Sequence, residues 1–151
     1  MVGRTRTPQE QPRLWSQDMA KVLCIDDNET NRFMIGKVLE RAGFTLCFAP
    51  DGESGIIAAK AERPDLILMD IQMPGIDGFE ATRRIKADRD TSEIPIIALS
   101  AHEASDKSEE IAACGCDGFM SKPLDFKKLI EIVHALISAP SDGAKGSGRG
   151  R

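Results

Sequence analysis

Residues suited to phosphoryl chemistry follow short apolar runs at four places in this sequence. Asp26 and Asp27 follow VLCI, Asp70 follows LILM, Ser100 follows IIAL, and Lys122 follows GFMS. Three carboxylates in one pocket would repel one another unless a cation joined them, and all-oxygen ligand sets select Mg²⁺ or Mn²⁺. Together with a lysine, such a cation would make the pocket neutral and able to stabilise a phosphoryl group. These residue types therefore indicate metal-assisted phosphoryl transfer, provided that the fold brings them together.

Each of these residues also has a simpler interpretation. Asp26 and Asp27 could cap the first helix, and Asp70 could begin the turn that MPGIDG predicts. Ser100 alone carries no functional information, and Lys122 could be a solvated loop lysine. The combination of four strand ends with matching chemistry favours a site.

Strand-like and helix-like segments alternate regularly between residues 20 and 138. This alternation predicts parallel strands with helical crossovers on both faces, a doubly wound α/β fold. The carboxyl ends of parallel strands share one edge, so Asp26, Asp70 and Lys122 are expected to converge there. If the strand order is 2-1-3-4-5, the switch point falls between the first and third strands. The runs that predict the five strands are 22–25, 45–48, 66–69, 96–99 and 118–120.

Helix signals occupy the gaps between the predicted strands. Asp125 is the expected N-cap of the last helix, whose apolar stripe consists of Phe126, Leu129, Ile130, Val133 and Ile137. The first helix has an apolar stripe formed by Phe33, Met34, Val38 and Leu39, and is expected to be terminated by Gly43 in the C′ position just beyond it. Asp77 and Glu80 resemble a capping box that opens the third helix.

The composition is that of a globular protein of one domain, with 151 residues, 41% hydrophobic and 29% charged. No apolar run approaches the roughly 18–20 residues needed to cross a bilayer, and no secretory signal is recognisable, so we expect a soluble, cytoplasmic protein. Segment 19–138 carries −7, whereas 1–18 carries +1 and 139–151 carries +2. An acidic body argues against a nucleic-acid-binding face.

The four cysteines fit a reducing compartment. Cys24 and Cys47 lie in apolar runs, where a thiol behaves as a small buried hydrophobic group. Cys114 and Cys116 form a single Cys-x-Cys without a second pair, which is a poor zinc motif. We therefore expect structural thiols.

The two ends of the chain differ from its centre. Residues 1–19 are predicted to be a flexible extension, 20–138 the folded domain, and 139–151 a disordered tail rich in Gly and Ser. Leu14 and Trp15 are candidates for docking onto the domain, but the sequence does not indicate where.

Four motifs surround the residues considered above: VLCIDDNETNR, DLILMDIQMPGIDGFEATRRI, IIALSA and GFMSKPL. They are spaced so that 30 residues separate Asp70 from Ser100 and 52 separate Asp70 from Lys122. With these motifs and intervals, residues 20–138 resemble the receiver domains of two-component response regulators, the CheY-like superfamily. The resemblance implies a flavodoxin-like three-layer sandwich of five parallel strands, order 2-1-3-4-5, and five helices.

The resemblance also implies a role for each acidic residue. Asp70 would be the phosphoacceptor. It would receive the phosphoryl group of a phosphohistidine in a Mg²⁺-dependent reaction. The Asp27 and Asp70 carboxylates and the Gln72 backbone carbonyl would bind Mg²⁺, or Mn²⁺ in its place. Asp26 would act mainly through a metal-bound water.

Further roles implied by the resemblance concern the phosphoryl group. Lys122 would pair with its oxygens, and the Lys122–Pro123 bond would be cis. Ser100, in place of the commoner Thr, would hydrogen-bond it. Phe119, in place of Tyr, would be the switch aromatic that turns inward. Dephosphorylation would be tuned at Gln72 and His102.

The resemblance implies protein partners. The phosphodonor would be a histidine kinase or a histidine phosphotransfer protein. The candidates for docking it and for pairing specificity are Thr30, Arg32, Phe33 and Gly36. Thirteen residues after Ser138 are too few for an output domain, so a downstream protein would bind the fourth helix, fifth strand and fifth helix, roughly 103–137. The chain is expected to be a monomer or a weak phosphorylation-dependent dimer, without nucleic-acid binding or membrane insertion. It would catalyse only its own phosphorylation and dephosphorylation.

Three alternatives stay open from the sequence. The chain could be the receiver module of a hybrid histidine kinase, although an initiator Met and the two tails favour a stand-alone regulator. A Mg²⁺-dependent phosphohydrolase with an Asp nucleophile would need a second acid close by, and position 72 is Gln. A nucleotide-binding protein would need G-x-G-x-x-G or a P-loop, and the sequence has neither.

Overall fold

Short apolar strands and amphipathic helices alternate along the chain in the computed structural model, which describes residues 20–101 and 108–138. The strands in these residues are β1 (Lys21–Ile25), β2 (Thr45–Ala49), β3 (Leu66–Asp70), β4 (Ile96–Ser100) and β5 (Gly118–Ser121). The helices are α1 (Glu29–Arg41), α2 (Gly52–Glu62), α3 (Gly78–Ala87), α4 (Ser108–Cys114) and α5 (Phe126–Ser138). Within the same residues, no helix has both the length and the apolar character that a membrane crossing requires.

The strands form one parallel sheet in the order β2-β1-β3-β4-β5. This order confirms the predicted doubly wound α/β fold. Each predicted strand agrees with the observed one to within one residue at either end. The small differences matter for the site, because Asp70 and Ser100 are the last residues of β3 and β4 rather than the first residues of loops.

Hydrophobic side chains cover both faces of the sheet. Residues of β1 and β3 alternate between the two faces, so Cys24 and Leu68 pack on the side of α1 and α5. Ile25 and Met69 pack on the side of α2 and α3. The central strands β3 and β4 are buried along their whole length, as strands covered on both faces must be. The sheet is therefore a rigid platform for whatever lies at its edges.

Two predicted helix ends, the start of α5 and the end of α1, are observed in the structure. The Asp125 carboxylate accepts hydrogen bonds from the Lys127 and Lys128 amides, so the predicted N-cap of α5 is confirmed. Gly43 follows α1 with a φ of 102°, as predicted for a residue just beyond a helix.

The capping box predicted for α3 is only half present. The Asp77 carboxylate accepts a hydrogen bond from the Glu80 amide at 2.9 Å. The Glu80 carboxylate does not return the interaction, because it pairs instead with Arg83 and Arg84 one turn further along. Ion pairs on the helix surface thus take the place of the second hydrogen bond of a capping box, from the Asp77 amide to the Glu80 carboxylate.

The predicted apolar stripe of α1 is wrong at its N-terminal end. Phe33 is 63% exposed and Met34 is 46% exposed, whereas Ile35 is buried. The three apolar residues Phe33, Met34 and Ile35 follow one another at about 100° intervals around the helix, so the run does not indicate which member faces the sheet. Leu39 is buried as predicted, one turn after Ile35.

All four cysteines are free thiols. Cys24 and Cys114 are buried, and Cys47 and Cys116 are half-buried. Burial raises the pKa of Cys24 and of Cys116 to about 12, with the neighbouring Asp26 and Cys114 adding to the respective effects. Both thiols therefore stay protonated at neutral pH, as expected for structural cysteines.

Candidate functional site

Three carboxylates meet at the carboxyl edge of the sheet. Asp26 and Asp27 directly follow β1, and Asp70 ends the neighbouring strand β3, where Ile25 lies opposite Met69. One oxygen from each carboxylate lies within 4.8 Å of the other two. Asp26 and Asp70 are buried, and Asp27 is exposed. The cluster therefore opens to solvent at Asp27.

A lysine partly balances this cluster. The Lys122 ammonium lies 3.1 Å from Asp70 Oδ1 and 3.7 Å from Asp26 Oδ2. Three carboxylates and one ammonium leave a charge of −2 in a pocket where like charges about 4 Å apart cost roughly 4 kcal/mol. The charge, the oxygen ligands and their mutual distances fit a small hard divalent cation.

Burial and charge also change the ionisation of Asp70. Removal from water raises the pKa of its carboxyl group to about 6, and the negative charge of Asp26 adds to this effect. Lys122 and the Gln72 amide lower the pKa of Asp70, but they do not cancel the increase. Asp70 is thus a carboxylate that is destabilised until positive charge arrives, which is the condition expected of a reactive group.

The start of α1 holds Asp26 in place. The Asn28 amide donates to Asp26 Oδ1 at 2.8 Å, and the Asn31 side-chain amide donates to Oδ2 at 3.4 Å. The Arg32 guanidinium donates to the Asp26 carbonyl oxygen at 2.6 Å. The N-cap of α1 is Asn28, so the alternative that Asp26 or Asp27 serves as this cap is wrong.

The loop from β3 to α3 folds back over Asp70. The Gly78 amide donates to the Ile71 carbonyl oxygen at 2.9 Å, which brings the start of α3 against the end of β3. A Cβ atom at position 78 would overlap the Asp70 carbonyl oxygen and would lie 2.6 Å from Ile71 Cα. Only glycine allows this close approach, which fixes the backbone of Asp70.

Ser100 and Lys122 approach the cluster from the ends of β4 and β5. The Lys122 amide donates to the Ser100 carbonyl oxygen at 2.7 Å, so the two residues are tied together. Ser100 is completely buried. Half-buried Phe119 lies opposite Ala98 on β4, two residues before Ser100. The Lys122–Pro123 peptide bond is cis, which confirms the prediction.

Gln72 contacts both Asp70, at the end of β3, and Ala101, just after β4. The sequence did not reveal this feature. The Gln72 amide donates to Asp70 Oδ1 at 3.4 Å, and its side-chain Oε1 accepts a hydrogen bond from the Ala101 amide at 3.2 Å. The role of its backbone carbonyl as a metal ligand stays a prediction. The predicted tuning residue His102 lies outside the described residues.

The four predicted docking residues lie on one side of the site, on α1. Thr30 is exposed on the first turn, and the other three line a groove between α1 and the edge strand β2: Arg32, Phe33 and Gly36. Phe48 of β2 completes the groove and is 44% exposed. Nothing in the pattern of β2 marked this residue, because an exposed Phe and a core Phe look alike in sequence.

A family model for the response regulator receiver domain matches residues 22–134. The match covers most of the chain and includes every residue of the site just described. The chain therefore belongs to the response regulator receiver domain family.

Individual relatives agree in both sequence and structure. Protein PilH of Pseudomonas aeruginosa is 33% identical over 120 residues, covering 80% of this chain and 99% of PilH. The polar-differentiation response regulator DivK of Brucella anthropi is 34% identical over 116 residues, covering 77% of this chain and 94% of DivK.

A solved structure that contains a metal ion is similar to this chain in fold. It is the receiver domain of sensor histidine kinase PA1611 from Pseudomonas aeruginosa PAO1, with a magnesium ion coordinated in its active site cleft. It is 31% identical, with a TM-score of 0.74, and covers 80% of this chain and 98% of that one. Chains that consist of little more than this domain, and a domain from a kinase, are thus both similar to this protein.

Proposed function

We propose that this chain is a single-domain response regulator in which Asp70 accepts a phosphoryl group from a histidine kinase or a histidine phosphotransfer protein. The observation that carries the proposal is the meeting of Asp26, Asp27 and Asp70 within 4.8 Å, with Lys122 3.1 Å from Asp70. Asp70 and Lys122 are 52 residues apart in sequence, so the fold alone brings them together.

Asp27, Asp70 and the Gln72 carbonyl are the residues that would hold Mg²⁺, with Mn²⁺ as a substitute and with Asp26 acting through water. A divalent ion held there would supply two positive charges for stabilising the transferring phosphoryl group. Asp26 is buried and receives two hydrogen bonds, whereas Asp27 is exposed, which suits an outer and an inner ligand respectively.

The transfer itself uses the carboxylate of Asp70. Its oxygen forms a bond to phosphorus while the bond between phosphorus and the histidine nitrogen of the donor breaks, and the histidine leaves as the free imidazole after protonation. The Lys122 ammonium faces Asp70 and neutralises charge on the phosphoryl oxygens. The acyl phosphate that forms on Asp70 is hydrolysed later, which limits the lifetime of the signal.

Ser100 and Phe119 would transmit the event to a partner. Phe119 packs against the cluster that includes Phe79, Ala98 and Cys114, which places it beside α4. A movement of Ser100 towards the phosphoryl group would free space beside Ala98 for the Phe119 ring. The face of α4, β5 and α5 would thereby change its shape for a downstream protein.

The direct test is the intact mass of the full chain after incubation with Mg²⁺ and acetyl phosphate, compared with Asp70→Asn. We expect one phosphoryl group on the wild type, none on D70N, and none after chelation of Mg²⁺. A second arm uses a phosphorylated histidine phosphotransfer protein as donor. An adduct on D70N, or no adduct on the wild type from either donor, would refute the proposal.

The similarity to the receiver domain of PA1611 supports a second role, that of a relay module of a hybrid histidine kinase. The chemistry at Asp70 would be the same, but the phosphoryl group would pass on to a histidine. Mixing the phosphorylated chain with unmodified histidine phosphotransfer protein distinguishes the two roles. Rapid and complete transfer would favour the relay, and retention on Asp70 would favour the stand-alone regulator.

A further inference from the structure

The groove between α1 and β2 is an aromatic surface without a partner among the described residues. It has a volume of about 420 Å³ and presents Phe33 and Phe48, which are 63% and 44% exposed. Two large aromatic side chains side by side on the surface of a small domain are typical of a contact site.

The shape of the groove depends on Gly36. A Cβ atom at this position would lie 2.8 Å from Phe48 Cζ, so the missing side chain lets the Phe48 ring lie against the backbone of α1. β2 is an edge strand, and no further strand of residues 20–101 or 108–138 lies beside it on the outer side. The floor of the groove is therefore a flat ring, open on one side.

Charged groups border the groove at both ends. Within the described part of the chain, the side chains of Glu29 and Glu40 form no ion pair or hydrogen bond. The Lys37 ammonium lies 5.5 Å from the centre of the Phe33 ring and also pairs with no acid there. An occupant that carries an apolar residue between a basic and an acidic residue would complement this surface.

The residues that precede β1 have this composition. Arg13, Leu14, Trp15 and Asp18 lie just upstream of Ala20, the first described residue. The Ala20 carbonyl oxygen accepts a hydrogen bond from the Thr45 amide, so the chain enters the domain beside the start of β2.

The distances allow the contact. Four residues lie between Trp15 and Ala20, and the five steps from one Cα atom to the next can span about 17 Å. Phe48 is three residues beyond Thr45 along β2, which is about 10 Å. A segment that runs back along β2 is therefore longer than the distance to Phe48 that it has to cover.

We propose that residues 13–18 dock in the groove between α1 and β2, with the Trp15 indole against Phe33 and Phe48. A segment that runs in this direction places Arg13 near Glu29, at the start of α1. It places Asp18 near Lys37, further along the same helix. The occupant of this surface is thus the chain's own N-terminal segment.

The docked segment has a consequence that rests on the proposed function. It covers Phe33 and Gly36, which belong to the predicted docking site of the phosphodonor, and so it competes with that protein. A segment docked about nine-tenths of the time lowers the apparent affinity for the donor about tenfold. Small-molecule phosphodonors need no docking surface and are unaffected.

Trp15 is the only tryptophan of the chain, so its fluorescence reports the docking directly. The experiment measures the emission maximum and acrylamide quenching in the full chain, with the urea-unfolded chain as the exposed reference. The test variant is Phe48→Ser, and the matched control is Ile57→Ser, because Ile57 is 69% exposed on α2 outside the groove.

We expect a blue-shifted, weakly quenched Trp15 in the wild type and in I57S, and an exposed Trp15 in F48S. An exposed Trp15 in the folded wild type would overturn the proposal, and so would shielding that F48S leaves intact. Shielding that appears only as the protein concentration rises would indicate a second copy as the occupant, which also overturns it.

The functional arm compares the wild type with Trp15→Ser. We expect W15S to accept phosphoryl groups up to about tenfold faster from a histidine phosphotransfer protein at limiting concentration, with an unchanged rate from acetyl phosphate. Equal rates from the protein donor would show that the segment does not compete. The emission measurement needs no phosphoryl transfer, so it decides the docking even if the proposed function fails.

Discussion

At the scale of single residues, the site is organised around an electrostatic imbalance. Asp70 is almost completely buried beside Asp26, and Lys122 offsets only part of the resulting repulsion. The structure without bound cations or phosphoryl groups is therefore less stable than its packing would allow. The same imbalance is what makes the pocket receptive to positive charge.

The first prediction concerns the cost of the Asp70 charge. The pKa of Asp70 is about 6 in the folded protein, against an ordinary value of 3.8. Below pH 3.8 the group is protonated in both states and costs nothing. Between pH 3.8 and 6 the unfolded chain loses its proton first, so stability falls as pH rises, and above pH 6 the penalty is complete. Asp70→Asn should remove it and raise the free energy of unfolding by about 1–3 kcal/mol at pH 7.

Urea unfolding in the presence of a chelator, at pH 4 and at pH 7, measures this effect. The two proteins should have similar stabilities at pH 4 and differ at pH 7. A D70N variant that is less stable than the wild type at pH 7 would show that the attraction of Lys122 outweighs burial and repulsion.

The second prediction concerns Lys122. Its ammonium is the cation closest to Asp70 among the described residues, at 3.1 Å, so Lys122→Ala should slow phosphorylation by acetyl phosphate roughly 10²-fold. Lys60→Ala is the matched control, because Lys60 forms a surface ion pair with Asp88. The rates follow from intact mass against time. A K122A variant as fast as K60A would exclude the proposed role.

At the scale of elements, the segments that follow the strands fix the positions of the carboxylates that the strands bring together. The end of β3 and the start of α3 touch through Gly78, and the start of α1 holds Asp26 through Asn28 and Asn31. Both contacts tie a helix N-terminus to a strand end. A change in either loop is therefore felt at the carboxylates.

The third prediction tests the contact at Gly78. A Cβ atom there overlaps the backbone of Asp70, so Gly78→Ala should destabilise the domain by about 1–3 kcal/mol and weaken Mg²⁺ binding as Asp70 shifts. Gly118→Ala is the control, because its Cβ atom would meet its nearest neighbour at an ordinary 3.5 Å. Urea unfolding and a Mg²⁺ titration provide the measurements. Equal losses in the two variants would argue against a special constraint at Gly78.

At the scale of the whole molecule, the site exists only in the folded state. Asp27 and Asp70 are 43 residues apart in the sequence, and β1 and β3 bring them together. A ligand that needs both carboxylates therefore binds the native state and not the unfolded chain. Such a ligand stabilises the fold by mass action.

The fourth prediction follows from this linkage. Mg²⁺ at about 100 times its dissociation constant should raise the free energy of unfolding by about 2.7 kcal/mol, and Tm should rise with its concentration. Asp27→Asn should remove most of the effect, whereas Glu53→Gln, a change of an exposed side chain on α2, should not. Thermal unfolding across a Mg²⁺ series tests this. A Tm that is independent of Mg²⁺ would mean that the carboxylate cluster binds no cation.

The sequence by itself determined the fold class, the strands and the meeting of Asp26, Asp70 and Lys122. These features depend on local patterns: apolar runs set the strands, and the rule that parallel strands end at one edge places the residues that follow them. The N-cap of α5 at Asp125 was predictable for the same reason, since capping involves only neighbouring residues.

Only the tertiary structure decided which side of α1 is buried, how Glu80 is paired and that Phe48 faces solvent. The run Phe33-Met34-Ile35 points in three directions about 100° apart, and which of them is buried depends on the sheet beneath the helix. Gly36 and Phe48 form one surface because α1 packs against β2, and no local pattern in either element encodes that contact. The physical reason is the same in each case: burial is a property of the assembled molecule, whereas periodicity and capping are properties of the neighbouring chain.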